Sequence, residues 1–126
     1  MQATQQLVVV VEDDVGMRRA LQRLLLAAGY HAQSFESAEA LLAADGARAA
    51  HCLVLDLQLP GVSGTELYAQ LGGGRPPAVF ITAQAGSRAR EAVARTGCGP
   101  LLPKPFGASE LLAAIDKAIV RGVSPP

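Results

Sequence analysis

The sequence predicts an α/β domain in which one doubly wound, five-stranded parallel sheet is covered by five helices. Two observations favour this fold class. Short apolar runs alternate with longer helical patterns five times along the chain, and the first run, Leu7–Val11, is continuously apolar. Such a run is typical of a strand that is buried on both faces, as the strands of parallel sheets are. The alternation indicates successive βα units with helices on both sides of the sheet.

Each element follows from its boundary residues. Asp14 precedes the first helix and Ser37 the second, and each side chain can accept a hydrogen bond from the first turn. Gly29 ends the first helix, since glycine tolerates the left-handed conformation that closes a helix. Strands are predicted at 7–11, 31–35, 52–55, 78–82 and 101–102, and helices at 15–28, 38–44, 64–71, 87–96 and over a last segment that includes 111–119. Right-handed connections favour the strand order 2-1-3-4-5 of flavodoxin-like folds.

Length and composition indicate a single domain. The chain has 126 residues, half of them hydrophobic, which suits one core of ordinary size. We expect a core over residues 6–121, with 122–126 as a tail or the start of a linker. Eleven basic and eleven acidic side chains give a formal net charge of zero, which argues against direct nucleic-acid binding. The sequence shows no signal-peptide pattern and no run that could cross a membrane, so a cytoplasmic protein is expected.

The spacing of the two cysteines does not indicate a metal site. Cys52 and Cys98 are far apart in the sequence and match no metal-binding spacing. They are expected on the third and fifth strands, which the fourth strand separates, and this geometry argues against a disulfide. We therefore predict two reduced, buried thiols.

Chemically active side chains follow four of the predicted strands. Glu12 and Asp13 come after the first strand, Asp56 after the third, Thr82 ends the fourth and Lys104 follows the fifth. In a doubly wound sheet, ligands bind beyond the carboxyl ends of the strands, where the strand order reverses. That point lies between strands one and three, so we expect these five side chains to meet there.

This set of residues suits phosphoryl transfer at a metal ion. Three carboxylates on adjacent strands repel one another unless cations lie among them, and a divalent ion together with Lys104 balances their charge. An all-oxygen site with few protein ligands suits Mg²⁺, which also coordinates oxygens of a substrate phosphate. Asp56 is the central carboxylate and so the candidate nucleophile, and Thr82 offers a hydroxyl donor to a phosphoryl oxygen. Taken alone, each residue would be an ordinary loop residue or helix cap.

Four segments resemble the receiver domains of bacterial two-component response regulators. They are VVEDD at 10–14, LVLDLQLPGVSG at 53–64, FITAQ at 80–84 and KPF at 104–106, in the order and spacing of that family. The similarity spans nearly the whole chain, and residues 92–106 look most like receivers that accompany LuxR-type helix-turn-helix output domains. The resemblance implies a signalling module that takes a phosphoryl group from a sensor histidine kinase and changes conformation to control an output. Such a module is not an enzyme for an external substrate, although it catalyses its own phosphorylation and autodephosphorylation.

The resemblance assigns roles to the acidic residues. Asp56 is the expected phosphorylation site. Glu12 and Asp13 are expected to hold Mg²⁺ directly or through water, together with Asp56 and the backbone carbonyl of Gln58. Glu12 stands where an aspartate is more common in the family, which lengthens one metal-binding arm by a methylene.

The resemblance also implies how the phosphorylated state is read. Thr82 is expected to hydrogen-bond the phosphoryl group and move toward it. Lys104 is expected to pair with Asp56 and then with the phosphate, with a cis peptide bond to Pro105. Leu101 stands where many receivers have an aromatic residue that moves with the threonine. Gln58 and Gln84 lie at two positions that tune the rate of autodephosphorylation in this family.

Partners and a responsive surface follow from the same resemblance. Besides the histidine kinase, the partners are a DNA-binding output domain or protein beyond this chain and a homodimer formed on phosphorylation. The surface formed by helix four, strand five and helix five is expected to respond. Arg88, Arg90 and Arg95 lie there, and the alternative for them is an ordinary solvated helix face. No contact with a membrane or directly with nucleic acid is expected.

Three alternatives from other classes stay open at this point. A pseudo-receiver, a phosphorylation-independent protein-interaction module, is the nearest, because Leu101 departs from the family pattern. A phosphatase of similar fold generally places its aspartyl nucleophile after the first strand, whereas Asp56 follows the third. A flavodoxin-like FMN carrier needs a hydroxyl-rich loop after the first strand, and the acidic EDDVG at 12–16 would repel a phosphate unless a metal intervened.

Overall fold

Five strands and five helices alternate along the chain, as the sequence predicts. A computed structural model of the protein describes residues 6–122, so the first five residues and nearly all of the expected tail at 122–126 lie outside it. The strands are β1 (Leu7–Val11), β2 (His31–Phe35), β3 (Cys52–Asp56), β4 (Ala78–Thr82) and β5 (Leu101–Pro103). The helices are α1 (Val15–Ala27), α2 (Ala38–Ala43), α3 (Gly64–Leu71), α4 (Ser87–Arg95) and α5 (Ala108–Gly122).

The strands form one parallel sheet in the order β2-β1-β3-β4-β5. The register places β1 between β2 and β3, so that Val8 pairs with Ala32 on one side and with Cys52 on the other. Every residue of β3 and of β4 is buried, whereas β2 and β5 are partly exposed at the two edges. The predicted fold class and strand order are confirmed, and the order reverses between β1 and β3.

Two apolar cores lie on opposite faces of the sheet. Val8 and Val10 pack with α1 and α5 on one face, and Val9 and Val11 pack with α2, α3 and α4 on the other. This alternation follows from the two-residue period of a strand. Full burial of a side chain of this size contributes roughly 1.5–3 kcal/mol. Because packing holds the strands from both sides, the residues at their carboxyl ends emerge from a rigid support.

Side-chain caps fix where several helices begin. Asp14 accepts a hydrogen bond at 2.8 Å from the backbone N–H of the third residue of α1, and Ser37 does the same at 3.0 Å for α2. Both caps were predicted. Ser63 and Glu66 form a reciprocal capping box at the start of α3. Within residues 6–122, no helix combines the length and the apolar character that a bilayer span requires.

The prediction for Cys98 was wrong. This residue lies in the loop between α4 and β5, not on β5, and it is half-buried. The turn after α4 uses Gly97 at φ 75°, and β5 begins only at Leu101, where the strand itself was predicted. Cys52 is buried on β3, and both cysteines are free thiols, as predicted.

Candidate functional site

The predicted site residues meet beyond the carboxyl ends of the strands. Glu12 follows β1, Asp56 ends β3 and Thr82 ends β4, and their exposed fractions are only 1%, 2% and 1%. Asp13 is exposed beside Glu12, and Lys104 approaches from the loop after β5. Buried polar groups are costly unless they are hydrogen-bonded, so the partners of these side chains define the site.

Lys104 joins the two buried carboxylates. Its Nζ donates a hydrogen bond to Oδ2 of Asp56 at 2.8 Å and another to Oε1 of Glu12 at 2.9 Å. The sequence predicted the contact with Asp56 but not the contact with Glu12. The backbone N–H of Lys104 donates to the carbonyl of Thr82 at 2.7 Å, and the peptide bond to Pro105 is cis.

Asp56 is held at both carboxylate oxygens. Oδ2 accepts from Lys104, and Oδ1 accepts from the backbone N–H of Gln58 at 2.8 Å. The start of α3 lies close beneath it, because a Cβ at Gly64 would come within 2.5 Å of the carbonyl oxygen of Asp56. Only glycine allows this close backbone approach without movement. The nucleophile predicted from the sequence is therefore fixed by three separate segments of the chain.

Three carboxylates form a group that could hold a cation. Glu12, Asp13 and Asp56 each offer an oxygen, and these oxygens lie within 4.8 Å of one another. With the single ammonium of Lys104, the group carries three negative charges and one positive charge. An oxygen-only donor set with this excess of negative charge fits Mg²⁺. Gln58 lies in the loop after Asp56, and the role predicted for its carbonyl stays a prediction.

Burial and charge act against each other in this group. Burial raises the pKa of Glu12 above its ordinary value of 4.5, and the nearby negative charge of Asp56 adds to the rise. Hydrogen bonds from Lys104 and from the backbone N–H of Asp14 oppose it. Partial burial alone would lower the pKa of Lys104, but hydrogen bonds to Asp56 and Glu12 outweigh that effect and raise it. The ammonium is thus held in its charged form.

Thr82 is engaged with its own loop. Its hydroxyl donates to the carbonyl of Gln84 at 3.3 Å and accepts from the backbone N–H of Gln84 at 3.1 Å. The side-chain oxygen of Gln58 accepts from the backbone N–H of Ala83 at 3.3 Å, which links the loop after β3 to the loop after β4. The sequence marked both glutamines but did not predict these contacts. An exposed glutamine side chain can adopt many rotamers, so its contacts with a loop cannot be predicted from its position in the sequence.

Sequence reasoning missed Arg18. Its Nη1 donates to the carbonyl oxygen of Glu12 at 2.9 Å, so an α1 side chain supports the loop that carries two site carboxylates. The available signal was a basic residue one turn into the helix that follows an acidic loop.

The features expected on the α4–β5–α5 surface are present. Leu101 is half-buried on β5 and pairs with Phe80 of β4. Arg88, Arg90 and Arg95 are exposed on α4. This geometry agrees with a docking surface and equally with a solvated helix face.

The chain is similar to proteins of one family. A family model described as the response regulator receiver domain matches residues 8–116. Nodulation protein W of Bradyrhizobium diazoefficiens is 36% identical over 121 residues, which cover 94% of this chain and 53% of that protein. The DNA-binding transcriptional regulator NtrC of Salmonella typhimurium is 33% identical over 115 residues, which cover 90% of this chain and 24% of that protein. The crystal structure of a response regulator receiver protein from Burkholderia phymatum shares 32% identity at a TM-score of 0.81, with 97% of this chain and 99% of that chain covered.

Coverage of the curated relatives is partial. The chain spans about half the length of Nodulation protein W and about a quarter of NtrC. The names of these relatives do not mention a LuxR-type output domain, so the narrower resemblance at residues 92–106 gains no support from them.

Proposed function

The chain belongs to the response regulator receiver domain family, and from that premise we propose that Asp56 accepts a phosphoryl group from a sensor histidine kinase. The observation that carries the proposal is the burial and hydrogen bonding of the Asp56 carboxylate. It is 2% exposed, its two oxygens are hydrogen-bonded to Lys104 and to the backbone of Gln58, and it belongs to the three-carboxylate group. Ligands of doubly wound sheets bind at the point where the strand order reverses, and a buried carboxylate there supports a role in a reaction.

The transfer is proposed to depend on Mg²⁺. Glu12, Asp13, Asp56 and the backbone carbonyl of Gln58 would hold it, either directly or through water. The chemistry that Mg²⁺ supplies at such a site is neutralisation of negative charge on carboxylate and phosphoryl oxygens. The fit rests on the oxygen-only donor set, the spacing within 4.8 Å and the uncompensated negative charge.

The chain's own residues supply position and charge. A carboxylate oxygen of Asp56 attacks the phosphorus of a phosphohistidine in line, a new O–P bond forms, the P–N bond breaks and its electron pair returns to the imidazole. The attacking group is a carboxylate oxygen, so this step involves no general base. Lys104, charged and 2.8 Å from Asp56, can pair with a phosphoryl oxygen once the carboxylate has become an acyl phosphate. Water later hydrolyses the acyl phosphate, which is the proposed autodephosphorylation.

The change of state is proposed to run through Thr82. In the unmodified domain its hydroxyl is paired with Gln84. A phosphoryl group on Asp56 adds acceptor oxygens that compete for this hydroxyl, so the loop after β4 moves and α4 with it. Leu101 replaces the usual aromatic residue, and the readout is therefore proposed to rest on the loop after β4.

The output is proposed to lie beyond this chain. NtrC is named as a DNA-binding transcriptional regulator, and by analogy a DNA-binding domain, of the LuxR type or another, is the proposed effector. A homodimer formed on phosphorylation is part of the same proposal. The proposed domain limits are a receiver core at about 6–121, followed by a linker that begins at 122–126.

The test is the intact mass of the protein after incubation with acetyl phosphate and Mg²⁺. Wild type should gain one phosphoryl mass, and the gain should need Mg²⁺ and disappear in Asp56→Asn. Asp45→Asn is the matched control, because Asp45 is an exposed surface aspartate and that variant should be modified like wild type. A folded wild type that gains no mass at saturating Mg²⁺ would favour the pseudo-receiver, a module that binds its partner without phosphorylation.

A further inference from the structure

The loop between β1 and α1 carries two of the three site carboxylates on a short backbone. Only residues 12–14 separate the end of β1 at Val11 from the start of α1 at Val15. Glu12 is anchored within this loop through both side-chain oxygens, by Lys104 and by the backbone N–H of Asp14. Asp13 is exposed, and its carboxylate has no such partner within residues 6–122. The position of its side chain therefore depends on how firmly its backbone is held.

Arg18 holds that backbone. Its Nη1 donates to the carbonyl oxygen of Glu12 at 2.9 Å and, at a longer 3.5 Å, to the carbonyl oxygen of Asp13. The backbone N–H of Arg18 donates to the carbonyl of Asp14 at 2.9 Å. One half-buried residue therefore contacts three successive carbonyl groups of the acidic loop. A planar guanidinium can serve two neighbouring acceptors at once, which a single ammonium does less well.

The guanidinium binds carbonyls although carboxylates are adjacent. Within residues 6–122, the ion pairs closer than 4.0 Å join Lys104 to Glu12, Lys104 to Asp56 and Arg48 to Asp45, and none involves Arg18. The carboxylates of the acidic loop are thus left free of Arg18. This arrangement supports the loop without occupying the oxygens that a cation would use.

We propose that Arg18 is a positioning residue of the cation site: it fixes the peptides of Glu12 and Asp13 so that their carboxylates converge on a divalent ion. The inference rests on the proposed Mg²⁺ site. It assigns Arg18 no contact with the phosphoryl group, and its effect is exerted through the backbone of the loop.

The direction in which Mg²⁺ affinity changes when Arg18 is removed distinguishes a positioning role from a purely electrostatic one. A guanidinium close to the site repels a dication, so its removal would tighten Mg²⁺ binding if charge were its main influence. If Arg18 positions the carboxylates, its removal weakens binding despite the lost repulsion. Residues that orient metal ligands through hydrogen bonds typically change metal affinity by about 10–100-fold when they are mutated.

The experiment measures Mg²⁺ binding by calorimetry for wild type, Arg18→Ala, Arg18→Lys and Arg19→Ala. Arg19 is the matched control, because it is the exposed neighbour on α1 and its loss removes the same charge. We expect the dissociation constant to rise about tenfold or more in Arg18→Ala and less in Arg18→Lys, which keeps the charge and N–H donors but lacks the planar guanidinium. It should stay level or fall in Arg19→Ala. Urea unfolding of each variant establishes that it is folded.

Two results would overturn the inference. If Arg18→Ala binds Mg²⁺ as tightly as Arg19→Ala does, the guanidinium acts only as a distant charge, and the proposed function stands without it. If wild type binds no Mg²⁺, the proposed cation site falls and the inference falls with it. Phosphorylation kinetics add a second readout: Arg18→Ala should raise the Mg²⁺ concentration at half-maximal rate, whereas Arg19→Ala should not.

Discussion

The ammonium of Lys104 lies 2.8 Å from Oδ2 of Asp56 and donates a hydrogen bond to it across 48 residues of sequence. The same ammonium binds Glu12 at 2.9 Å, so one cation from the edge of the sheet pairs with the carboxylate that follows β1 and with the one that ends β3. In the unmodified domain Lys104 therefore has a structural task, which is to make the burial of two acids tolerable. The proposed phosphoryl transfer would change the partner of this lysine and so alter the balance of charge in the site.

Replacement of Lys104 by methionine should destabilise the unmodified domain. Methionine keeps most of the side-chain volume but leaves two buried carboxylates without their cation. We expect a loss of about 2–3 kcal/mol in the free energy of unfolding, below the usual cost for a fully buried pair because 18% of the lysine side chain is exposed. Urea denaturation in buffer with a chelator measures it. Lys117→Met, an exposed lysine on α5, is the control and should change little.

A double-variant cycle isolates the charge effect. Adding Glu12→Gln to Lys104→Met removes one of the two unpaired acids, so it should recover part of the lost stability. An identical loss with and without Glu12→Gln would mean that Lys104 and Glu12 are not energetically coupled, and that the loss comes from Asp56 and from packing.

Loss of the Thr82 hydroxyl should uncouple modification from the change of surface. Thr82→Ala leaves Asp56, Lys104 and the acidic loop intact, so phosphorylation by acetyl phosphate should still be seen by mass. The chemical-shift response of α4 amides to phosphorylation should fall by roughly half or more, since the hydroxyl proposed to link the phosphoryl group to the loop is gone. Thr82→Ser keeps the hydroxyl and should retain the response. An undiminished chemical-shift response of α4 in Thr82→Ala would show that another group couples phosphorylation to this loop.

The sequence was sufficient to predict the fold and to predict which side chains of the candidate site come together, for one physical reason. Parallel strands end at the same edge, so residues such as Asp56 and Thr82 that follow or end strands must come together once the strand order is known. Strand order itself followed from the apolar runs and from chain connectivity. None of these inferences needs a side-chain conformation.

The contacts that depend on rotamers could not be predicted. To predict the second bond of Lys104, to Glu12, one would need to know the conformation of a four-carbon side chain. Arg18 reaches the acidic loop only because α1 begins immediately after that loop. Cys98 was misplaced for a different reason: it was counted with the fifth strand, although that strand was predicted to begin at Leu101, as β5 does.

A methyl group at position 64 should disturb both stability and the site. The Cβ of Gly64→Ala would lie 2.5 Å from the carbonyl oxygen of Asp56, which is backbone and cannot rotate away. We expect a loss of about 1–3 kcal/mol in unfolding free energy, together with slower phosphorylation of Asp56. Gly73→Ala is the matched control, because nothing lies within 4 Å of a Cβ built there. Equal stability of the two variants would mean that α3 can shift without cost.

The capping box of α3 should make stability depend on pH. The backbone N–H of Ser63 donates a hydrogen bond to the Glu66 carboxylate at 2.9 Å, and this bond, with a smaller contribution from the Ser63 side chain, holds the pKa of Glu66 below the ordinary value of 4.5. The stability that the ionised carboxylate contributes is therefore present above pH 4.5 and is lost as the pH falls through the lowered pKa.

The comparison is the unfolding free energy of wild type minus that of Glu66→Gln, measured as a function of pH. The difference should be larger at neutral pH and should shrink on acidification. In a Ser63→Ala background, which removes the hydroxyl but keeps the N–H, the pH dependence should weaken. A difference that stays flat across the acid range would show that ionised Glu66 adds nothing to the cap.

The two thiols should react at different rates. Cys52 has no exposed surface on β3, and burial, with a smaller contribution from nearby Cys98, raises the pKa of its thiol to about 12. Cys98 is half-buried, with its Sγ 3.1 Å from the hydroxyl of Tyr68. Because the thiolate is the reactive form, iodoacetamide should modify Cys98 at least about tenfold faster than Cys52 in the folded protein.

Peptide mass spectrometry over time measures both rates, and denaturant should bring them together. Cys98→Ser should take up almost no reagent over the period in which wild type gains one adduct, whereas Cys52→Ala should behave like wild type. Equal rates in the native protein would mean that β3 opens as readily as the loop before β5. A central strand packed on both faces should not do so, because such strands open only with an unfolding free energy close to that of the whole domain.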